Sequence, residues 1–269
     1  MQLSIITINY NNAAGLRKTI ESIANQTTLD FEYIVIDGGS DDGSVEIMRE
    51  YSDFITHWVS EPDNGIYHAM NKGIRLAKSE YCQFINSGDY LAADDVIETM
   101  MRELPDCSIF YGNMIKFYPD GRQFMDSGHG ETVRFFRLYT GTINHSPAWI
   151  KRSLFDTYGL YDENMKIAAD WKFYLIAVGL NNEKVCYIDL PVVCFDMTGI
   201  STVDPEPGYI ERRKVLEEML PKKILDDYDY YRNDLNKIER LNRFPFIKKG
   251  VWFVERVLFK LEKWGIVKR

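Results

Sequence analysis

Three polar clusters in the first third of the chain could bind a ligand, because each follows directly on a short apolar run. The clusters are Asn9–Asn12, Asp37–Gly43 and Asn86–Asp89. Their carboxylate, amide and hydroxyl oxygens are the ligands that Mg²⁺ and Mn²⁺ prefer. The glycines after Asp37 would let the backbone approach a ligand closely, and the Asp37 carboxylate could accept hydrogen bonds from a base or a ribose. Each cluster taken alone is also compatible with an ordinary turn that ends a strand.

Two residues further along the chain could take part in proton transfer. Asp170 lies at the start of a predicted helix, where a carboxylate most often caps the helix. Over a binding cleft, the same carboxylate could serve as a general base. His145 could contact a ligand or order a turn, since it stands in the segment Asn144-His-Ser-Pro147. The four histidines and four cysteines form no zinc-ligand pattern. Without G-x-G-x-x-G or a Walker loop, dinucleotide and P-loop ATP binding lose their usual support.

The segments that must position these residues alternate between strand and helix patterns. Strands are predicted at 3–8, 33–36, 54–59 and 81–85, and helices at 14–25, 44–51, 66–78 and 94–103. Uniformly apolar strands that alternate with helices are typical of a parallel sheet covered on both faces, so we predict an α/β fold with a mostly parallel central sheet. The carboxyl ends of such strands share one rim, where the three clusters should converge. The predictions beyond this point are a hairpin around Pro119-Asp-Gly121, a helix over 168–179, strands over 184–197 broken at Pro191, and helices over 209–240.

Charge is unevenly distributed along the chain. The formal net charge is −8, but residues 243–269 carry a net +6, which leaves −14 for the remainder. An acidic body repels nucleic acid, so we expect no nucleic-acid partner. The change in charge and composition after Pro205 and Pro207 predicts two parts, a domain over 1–205 and a helical extension over 206–269.

The basic tail has the pattern of an amphipathic helix. One stripe repeats at spacings of 4, 3, 4 and 3 residues and consists of Ile247, Val251, Val254, Leu258 and Leu261. Four aromatic residues widen it: Trp252, Phe253, Phe259 and Trp264. Such a helix is typical of an interfacial membrane anchor, and it also fits a helix that packs on the catalytic domain or on a partner subunit, such as a second copy of the chain.

Cysteine usage and hydropathy indicate a reducing compartment. The four cysteines lie far apart beside apolar neighbours, which predicts buried, reduced thiols. No signal peptide and no membrane-spanning stretch is evident in the sequence. We therefore expect a cytoplasmic protein, bound at the inner face of the cell membrane if the tail is an anchor.

Five stretches of the sequence, in order, resemble the inverting glycosyltransferases of family 2, which adopt the GT-A fold. The stretches are Ser4–Asn12, Tyr33–Ser44, Glu61–Gly73, Phe84–Asp89 and Ala168–Tyr174. The resemblance runs from residue 3 to about residue 200. It implies transfer of a sugar from a nucleotide-diphosphate donor, most readily a UDP-sugar, to a hydroxyl of a glycan or a lipid-linked glycan.

The resemblance also implies a role for individual positions. Asp170 would be the general base, and His145 would lie on the acceptor side. Asp37 would hydrogen-bond the base of the nucleotide. The other donor-binding positions would be Thr7, Asn9, Tyr10, Gly39, Asp63, Asn64, Asn71, Lys72, Asn86 and Ser87.

The chain departs from the family pattern at the metal motif. Asn86 and Gly88 stand where the two acidic residues of Asp-x-Asp are usual, so Asp89 is the carboxylate left to hold Mg²⁺ or Mn²⁺. This departure supports an alternative, a nucleotide-sugar-binding protein with little catalysis. A nucleotidyltransferase would need a phosphate loop rich in Gly and Lys or Arg after the first strand, and Asn9–Asn12 is not one.

Overall fold

The computed structural model describes residues 2–128, 132–199, 202, 204–242 and 244–263. They form two compact units, Met1–Val215 and Leu216–Arg269. The first unit contains the whole sheet. The units part further along the chain than the predicted division after residue 205.

Four parallel strands form one half of the sheet, in the order β3-β2-β1-β4. They are β1 (Leu3–Asn9), β2 (Glu32–Asp37), β3 (His57–Ser60) and β4 (Tyr81–Phe84), linked by α1 (Ala13–Ala24), α2 (Ser44–Glu50) and α3 (Ile66–Leu76). Every residue of β1, β2 and β4 is buried, because helices cover both faces of the sheet. The predicted α/β fold class, with parallel central strands linked by helices, is confirmed.

Antiparallel pairing enters the sheet beside β4. The remaining strands are β5 (Tyr90–Leu91), β6 (Ile109–Phe117), β7 (Gln123–Asp126), β8 (Ala148–Lys151) and β9 (Val185–Asp196). Strand β8 runs antiparallel to β4, and β6 pairs with β7, β8 and β9. The predicted hairpin is the β6–β7 pair. The helices of this half are α4 (Val96–Glu103), α5 (Phe135–Thr140), α6 (Ser153–Tyr158) and α7 (Ala169–Tyr174).

The predicted break at Pro191 is wrong, since β9 continues through it. Pro191 stands opposite Asn113 at a shift in the register between β6 and β9. Proline cannot donate to a strand ladder, and an irregular position tolerates the missing N–H. The sheet therefore accommodates the proline without ending the strand.

Helix α7 continues into a wider π-helical segment, Leu175–Leu180, so the predicted helix over 168–179 has two geometries. Helix α8 (Glu206–Met219) follows β9 along the chain and crosses the boundary between the units. Helices α9 (Lys222–Asn242) and α10 (Pro245–Lys263) belong to the second unit. Among the described residues, none of the helices is long and apolar enough to span a bilayer. All four cysteines are free, and Cys186 is half-buried whereas the other three are buried.

Candidate functional site

A cavity of about 540 Å³ lies beyond the carboxyl ends of the central strands. Five residues predicted from the sequence line it: Asn86, Ser87, Asp89, His145 and Asp170. Asn12 of the first polar cluster also lines it, and so do Tyr67, Asp196 and Arg212, to which the sequence assigned no individual role. The structure thus brings the predicted base, acceptor-side residue and metal segment to one place.

Two neighbours fix the Asp170 carboxylate in the first turn of α7. The single proton of the Tyr67 hydroxyl is shared between Oδ1, at 3.0 Å, and the backbone carbonyl of Ile167, at 2.5 Å. His145 Nδ1 lies 3.6 Å from Oδ2. Burial, together with the negative charge of Asp170, raises the pKa of Tyr67 well above its usual range. Tyr67 therefore stays protonated and donates, and Oδ2 of Asp170 receives no hydrogen bond from it.

His145 is held beside Asp170 in its neutral form. Burial lowers the pKa of His145, and the charge of Asp170 opposes that effect only in part. Its Nε2 atom is buried and has no hydrogen-bond partner within the described part of the chain. The segment that carries His145 is tied to β4, because buried Gln83 donates to the carbonyl of Ser146 at 2.9 Å.

The start of α7 is positioned by Glu211 of α8. Its carboxylate accepts backbone N–H groups from three successive residues, Lys166 at 2.6 Å, Ile167 at 3.1 Å and Ala168 at 3.0 Å. An anion that binds free N–H groups ahead of a helix stabilises that helix end. No spacing rule links Glu211 to this segment, so the sequence carried no signal for it.

Asp37 at the end of β2 is enclosed by its own neighbours and is not among the described residues that line the cavity. The residue is fully buried, and its oxygens accept hydrogen bonds from Asn9, Gly39, Ser40 and Ser60. Burial alone would raise the pKa of Asp37, but the hydrogen bonds from Ser40, Ser60 and Asn9 outweigh it and lower the pKa. The predicted hydrogen bond to a nucleotide base would require one of these donors to be given up.

Two other predicted donor-binding residues are turned into the protein. The Thr7 side chain is fully buried, and its hydroxyl accepts from Tyr33 at 3.1 Å. Asn71 donates to the carbonyl of Tyr161 at 2.8 Å and accepts the N–H of the same residue at 3.0 Å. Both side chains therefore have structural contacts, one under the sheet end and the other holding the loop at 161, and their contacts with the donor stay predictions.

Five other predicted donor-binding residues lie near the Asp37 loop and are not among the described residues that line the cavity: Tyr10, Gly39, Asp63, Asn64 and Lys72. Lys72 pairs with Asp63 at 2.6 Å and with Glu61 at 2.8 Å, and Asn64 is exposed next to them. Tyr10 is 68% exposed beside the Asp37 loop. In that loop Gly39 has φ of +80°, and a β-carbon there would lie 3.2 Å from the nitrogen of Pro62.

The residues near the metal motif fit a hard cation that draws further ligands from a substrate. Asp89 Oδ1 accepts the N–H of Asp196 at 2.9 Å, while its Oδ2 has only a long contact of 3.4 Å from the Ser146 hydroxyl. Asn86 Oδ1 is buried without a hydrogen-bond partner in the described residues. The carboxylate of Asp196 lies near Gly88, because a β-carbon on that glycine would be 3.7 Å from Asp196 Oδ2. The described residues contain no group of three His, Cys, Asp or Glu placed to bind a metal, so phosphates and water would complete the shell.

We expect Asp89→Asn to flatten the pH dependence of stability. Burial raises the pKa of Asp89 to about 7 from its ordinary 3.8. The folded chain therefore holds this proton more tightly than the unfolded chain, and the resulting stability is fully present below about pH 4 and lost as the pH rises to about 7. Each unit of pKa corresponds to about 1.4 kcal/mol. Asparagine still accepts the Asp196 N–H and does not ionise. Between pH 4.5 and 8 the free energy of unfolding of Asp89→Asn should therefore decrease by a few kcal/mol less than that of the wild type.

Urea unfolding at both pH values, without divalent cations, measures this difference. Asp94→Asn provides the control, since that aspartate is exposed. Equal slopes for wild type and Asp89→Asn would contradict the prediction.

Comparison with known proteins identifies close similarities over most of the first unit. The family model described as "Glycosyl transferase family 2" matches residues 4–165. An uncharacterized glycosyltransferase of Mycobacterium tuberculosis is 33% identical over 208 residues, which cover 74% of this chain and 77% of the relative. A PGL/p-HBAD biosynthesis glycosyltransferase of Mycobacterium bovis is 32% identical over 178 residues, 63% of this chain and 67% of that protein.

Solved structures share the fold. The crystal structure of S. aureus TarS matches with a TM-score of 0.64 and 21% identity, and the match covers 81% of this chain and 39% of TarS. Residues 1–349 of TarS in complex with UDP match with a TM-score of 0.63 and 20% identity, covering 80% and 64% of the two chains. At such identities the likeness establishes the GT-A-like architecture alone.

Proposed function

The chain belongs to glycosyl transferase family 2, and we propose that it transfers a sugar from a nucleoside-diphosphate donor to an acceptor hydroxyl with inversion at the anomeric carbon. The observation that carries the proposal is the position of Asp170. Its carboxylate lines the cavity, Tyr67 holds one oxygen, and the second oxygen faces the acceptor-side residue His145. Single displacement needs one base on one face of the sugar and a leaving group on the other, and a single positioned carboxylate suffices.

The proposed reaction proceeds through this chain's own residues in one displacement. Asp170 accepts the proton of the acceptor hydroxyl as the hydroxyl oxygen attacks the anomeric carbon. The bond between the anomeric carbon and the diphosphate breaks, and its electrons stay on the diphosphate. Tyr67 contacts one oxygen of Asp170, and neutral His145 forms no ion pair with the other, so that oxygen is available to accept the proton. Mg²⁺ or Mn²⁺, held by Asn86, Asp89 and Asp196, would supply positive charge to the departing diphosphate.

A UDP-sugar is the donor that we propose, of the hexosyl or N-acetylhexosaminyl type. The structural relative TarS has been solved with UDP and with UDP-GlcNAc. A neighbouring fold of lower similarity is a mannosyltransferase in complex with GDP-Man and Mn²⁺, so the base is a point for experiment. The acceptor that we propose is a glycan or a lipid-linked glycan.

A panel of nucleotide sugars tests the proposal directly. Thermal shifts with UDP-, GDP- and dTDP-sugars, each with and without Mn²⁺, report the base, the sugar and the metal together. We expect one UDP-sugar to stabilise the protein most and to be hydrolysed slowly when water replaces the acceptor. Binding without any hydrolysis or transfer would favour the alternative, a nucleotide-sugar-binding protein, which the loss of Asp at 86 and 88 suggested. No stabilisation by any nucleotide would contradict both.

We also propose that α10 binds the cytoplasmic face of an anionic membrane. Most of its apolar side chains are exposed, and those more than half exposed are Phe246, Val251, Trp252, Phe253, Val254 and Phe259. By helical spacing, Lys249, Arg256, Lys260 and Lys263 lie on the face opposite the aliphatic stripe that contains Val251 and Val254. Arg256 stacks over the exposed ring of Trp252 at 4.6 Å. Trp264, Lys268 and Arg269 of the predicted tail lie outside the described residues. Basic residues beside exposed aromatic residues are typical of helices that bind an anionic lipid surface, and a second copy of the chain is the competing occupant.

A further inference from the structure

Arg212 lies in the cavity on a rigid aromatic platform. It belongs to α8, is half-buried, and its guanidinium carbon lies 5.3 Å from the ring centroid of Trp171. Trp171 is itself fully buried, and its indole N–H donates to the carbonyl of Leu138 at 2.6 Å. The neighbouring Glu211 fixes the same turn of α8 to the start of α7. The guanidinium is therefore held in place before any ligand binds.

Most of the hydrogen-bonding capacity of Arg212 is unused. A guanidinium offers five N–H donors, and the one hydrogen bond observed is a long one of 3.4 Å from Nη1 to the carbonyl of Gly141. Across the described chain, no carboxylate lies within ion-pair distance of it. Of the other cations that line the cavity, Lys116 pairs with Asp126 at 2.6 Å and Lys166 is exposed. Holding an unpaired guanidinium away from water costs free energy, which a ligand's negative charge would offset.

The surroundings of Arg212 define the chemistry of that ligand. Three carboxylates line the cavity, those of Asp89, Asp170 and Asp196, and the guanidinium of Arg212 adds a positive charge to the same lining, which favours a negatively charged group of a ligand. A planar guanidinium with one face stacked on a ring presents its N–H groups edge-on, in the fork geometry that matches two oxygens of a phosphate.

We propose that Arg212 binds a phosphate group of a substrate in this cavity. This inference rests on the proposed glycosyl transfer, in which two substrates could carry the phosphate. One source is the diphosphate of the donor, and the other is a phosphate on the acceptor. The proposal makes Arg212 a specificity-determining residue for phosphate-bearing substrates.

Calorimetric titration of the full chain with uridine, UDP and inorganic pyrophosphate distinguishes the two sources. The variants are Arg212→Gln, which removes the charge, and Arg212→Lys, which keeps the charge without the fork. Arg213→Gln is the matched control, because Arg213 is an exposed arginine next in sequence. Thermal unfolding and circular dichroism establish that each variant is folded.

If the phosphate belongs to the donor, Arg212→Gln should weaken UDP roughly ten- to hundredfold, as loss of a charged hydrogen bond does, and leave uridine unchanged. Pyrophosphate should then compete with UDP. If the phosphate belongs to the acceptor, UDP binding should be unchanged, and pyrophosphate should bind the UDP-saturated wild type and bind Arg212→Gln at least tenfold more weakly. Arg212→Lys should fall between wild type and Arg212→Gln in whichever titration responds.

The proposal is overturned if the affinities for UDP and for pyrophosphate both agree within about twofold between wild type and Arg212→Gln. Failure of the proposed function looks different. In that case uridine and UDP would not bind the wild type at all, whereas pyrophosphate binding would still respond to Arg212.

Discussion

Asp170→Asn should leave the protein folded and able to bind its nucleotide, while the rate of sugar transfer falls about a hundredfold to ten-thousandfold. The substitution exchanges one carboxylate oxygen for an amide and keeps the volume of the side chain. The Tyr67 hydroxyl, which lies 3.0 Å from Oδ1 in the wild type, can still donate to the oxygen that remains in the amide. What is lost is the acceptor for the proton of the attacking hydroxyl.

The measurement compares donor turnover with donor binding. Turnover is followed as release of the nucleoside diphosphate, with water as the acceptor until a glycan acceptor is known, and binding is followed by calorimetry with UDP. Asp156→Asn in α6 is the matched control, since that aspartate is in the first turn of a short helix but is exposed. Wild-type turnover in Asp170→Asn would show that another group is the base.

The half of the fold that the sequence predicted well is the half in which local pattern and tertiary environment agree. Strands β1, β2 and β4 are buried along their whole length, so every position had to be apolar or internally hydrogen-bonded, and the run of apolar residues revealed them. The polar clusters then had to follow at the strand ends. In contrast, the strand through Pro191 depends on a register shift opposite Asn113, which is a property of the β6–β9 pair and of neither segment alone.

The sequence predicted those site residues whose role follows from their position at the end of a strand. It did not predict those whose role depends on tertiary contacts of the side chain. Asn71 lies in the same helix as Lys72, but its side chain enters the core and holds Tyr161 from both sides, whereas Lys72 turns toward Asp63. Asp37 follows β2 as expected, yet its neighbours already satisfy its oxygens. Glu211 and Arg212 act through contacts with the start of α7, a segment distant in sequence, so no periodicity or motif could single them out.

The metal motif shows how a departure in sequence can be offset in space. Gly88 has φ of +105°, a conformation that side-chain-bearing residues rarely adopt, and the carboxylate of Asp196 from β9 approaches the space that a side chain at 88 would enter. An acidic group is thus supplied to the region from a strand far along the chain. This placement weakens the argument that the loss of Asp-x-Asp removes catalysis, because the number of acidic side chains near the motif is larger than the motif itself indicates.

Removal of α10 should abolish binding to anionic vesicles. A chain that ends at Phe244 lacks the exposed apolar side chains of α10 and the basic side chains of Lys249, Arg256, Lys260 and Lys263. Full burial of a large apolar side chain contributes about 1.5–3 kcal/mol, and each basic residue near an anionic surface contributes about 1 kcal/mol. A few of these contributions together are enough for stable association with the vesicle. The shortened chain should therefore stay in the supernatant, whereas the full chain sediments with the vesicles. Co-sedimentation with vesicles of mixed phosphatidylcholine and phosphatidylglycerol measures this directly.

Two double variants separate apolar insertion from a general effect of truncation. Phe253→Ser with Leu258→Ser removes two exposed residues of the stripe, and Tyr230→Ser with Tyr231→Ser removes two exposed aromatic residues from α9 of the same unit. The first pair should weaken vesicle binding more than about tenfold, since each lost side chain costs more than 1 kcal/mol if it is buried in lipid. The second pair should bind as wild type does. Equal vesicle binding by both double variants, or binding that does not depend on phosphatidylglycerol, would show that the stripe packs against protein instead. A concentration-dependent dimer that is lost in the variant with Phe253→Ser and Leu258→Ser would then identify a second copy of the chain as the occupant.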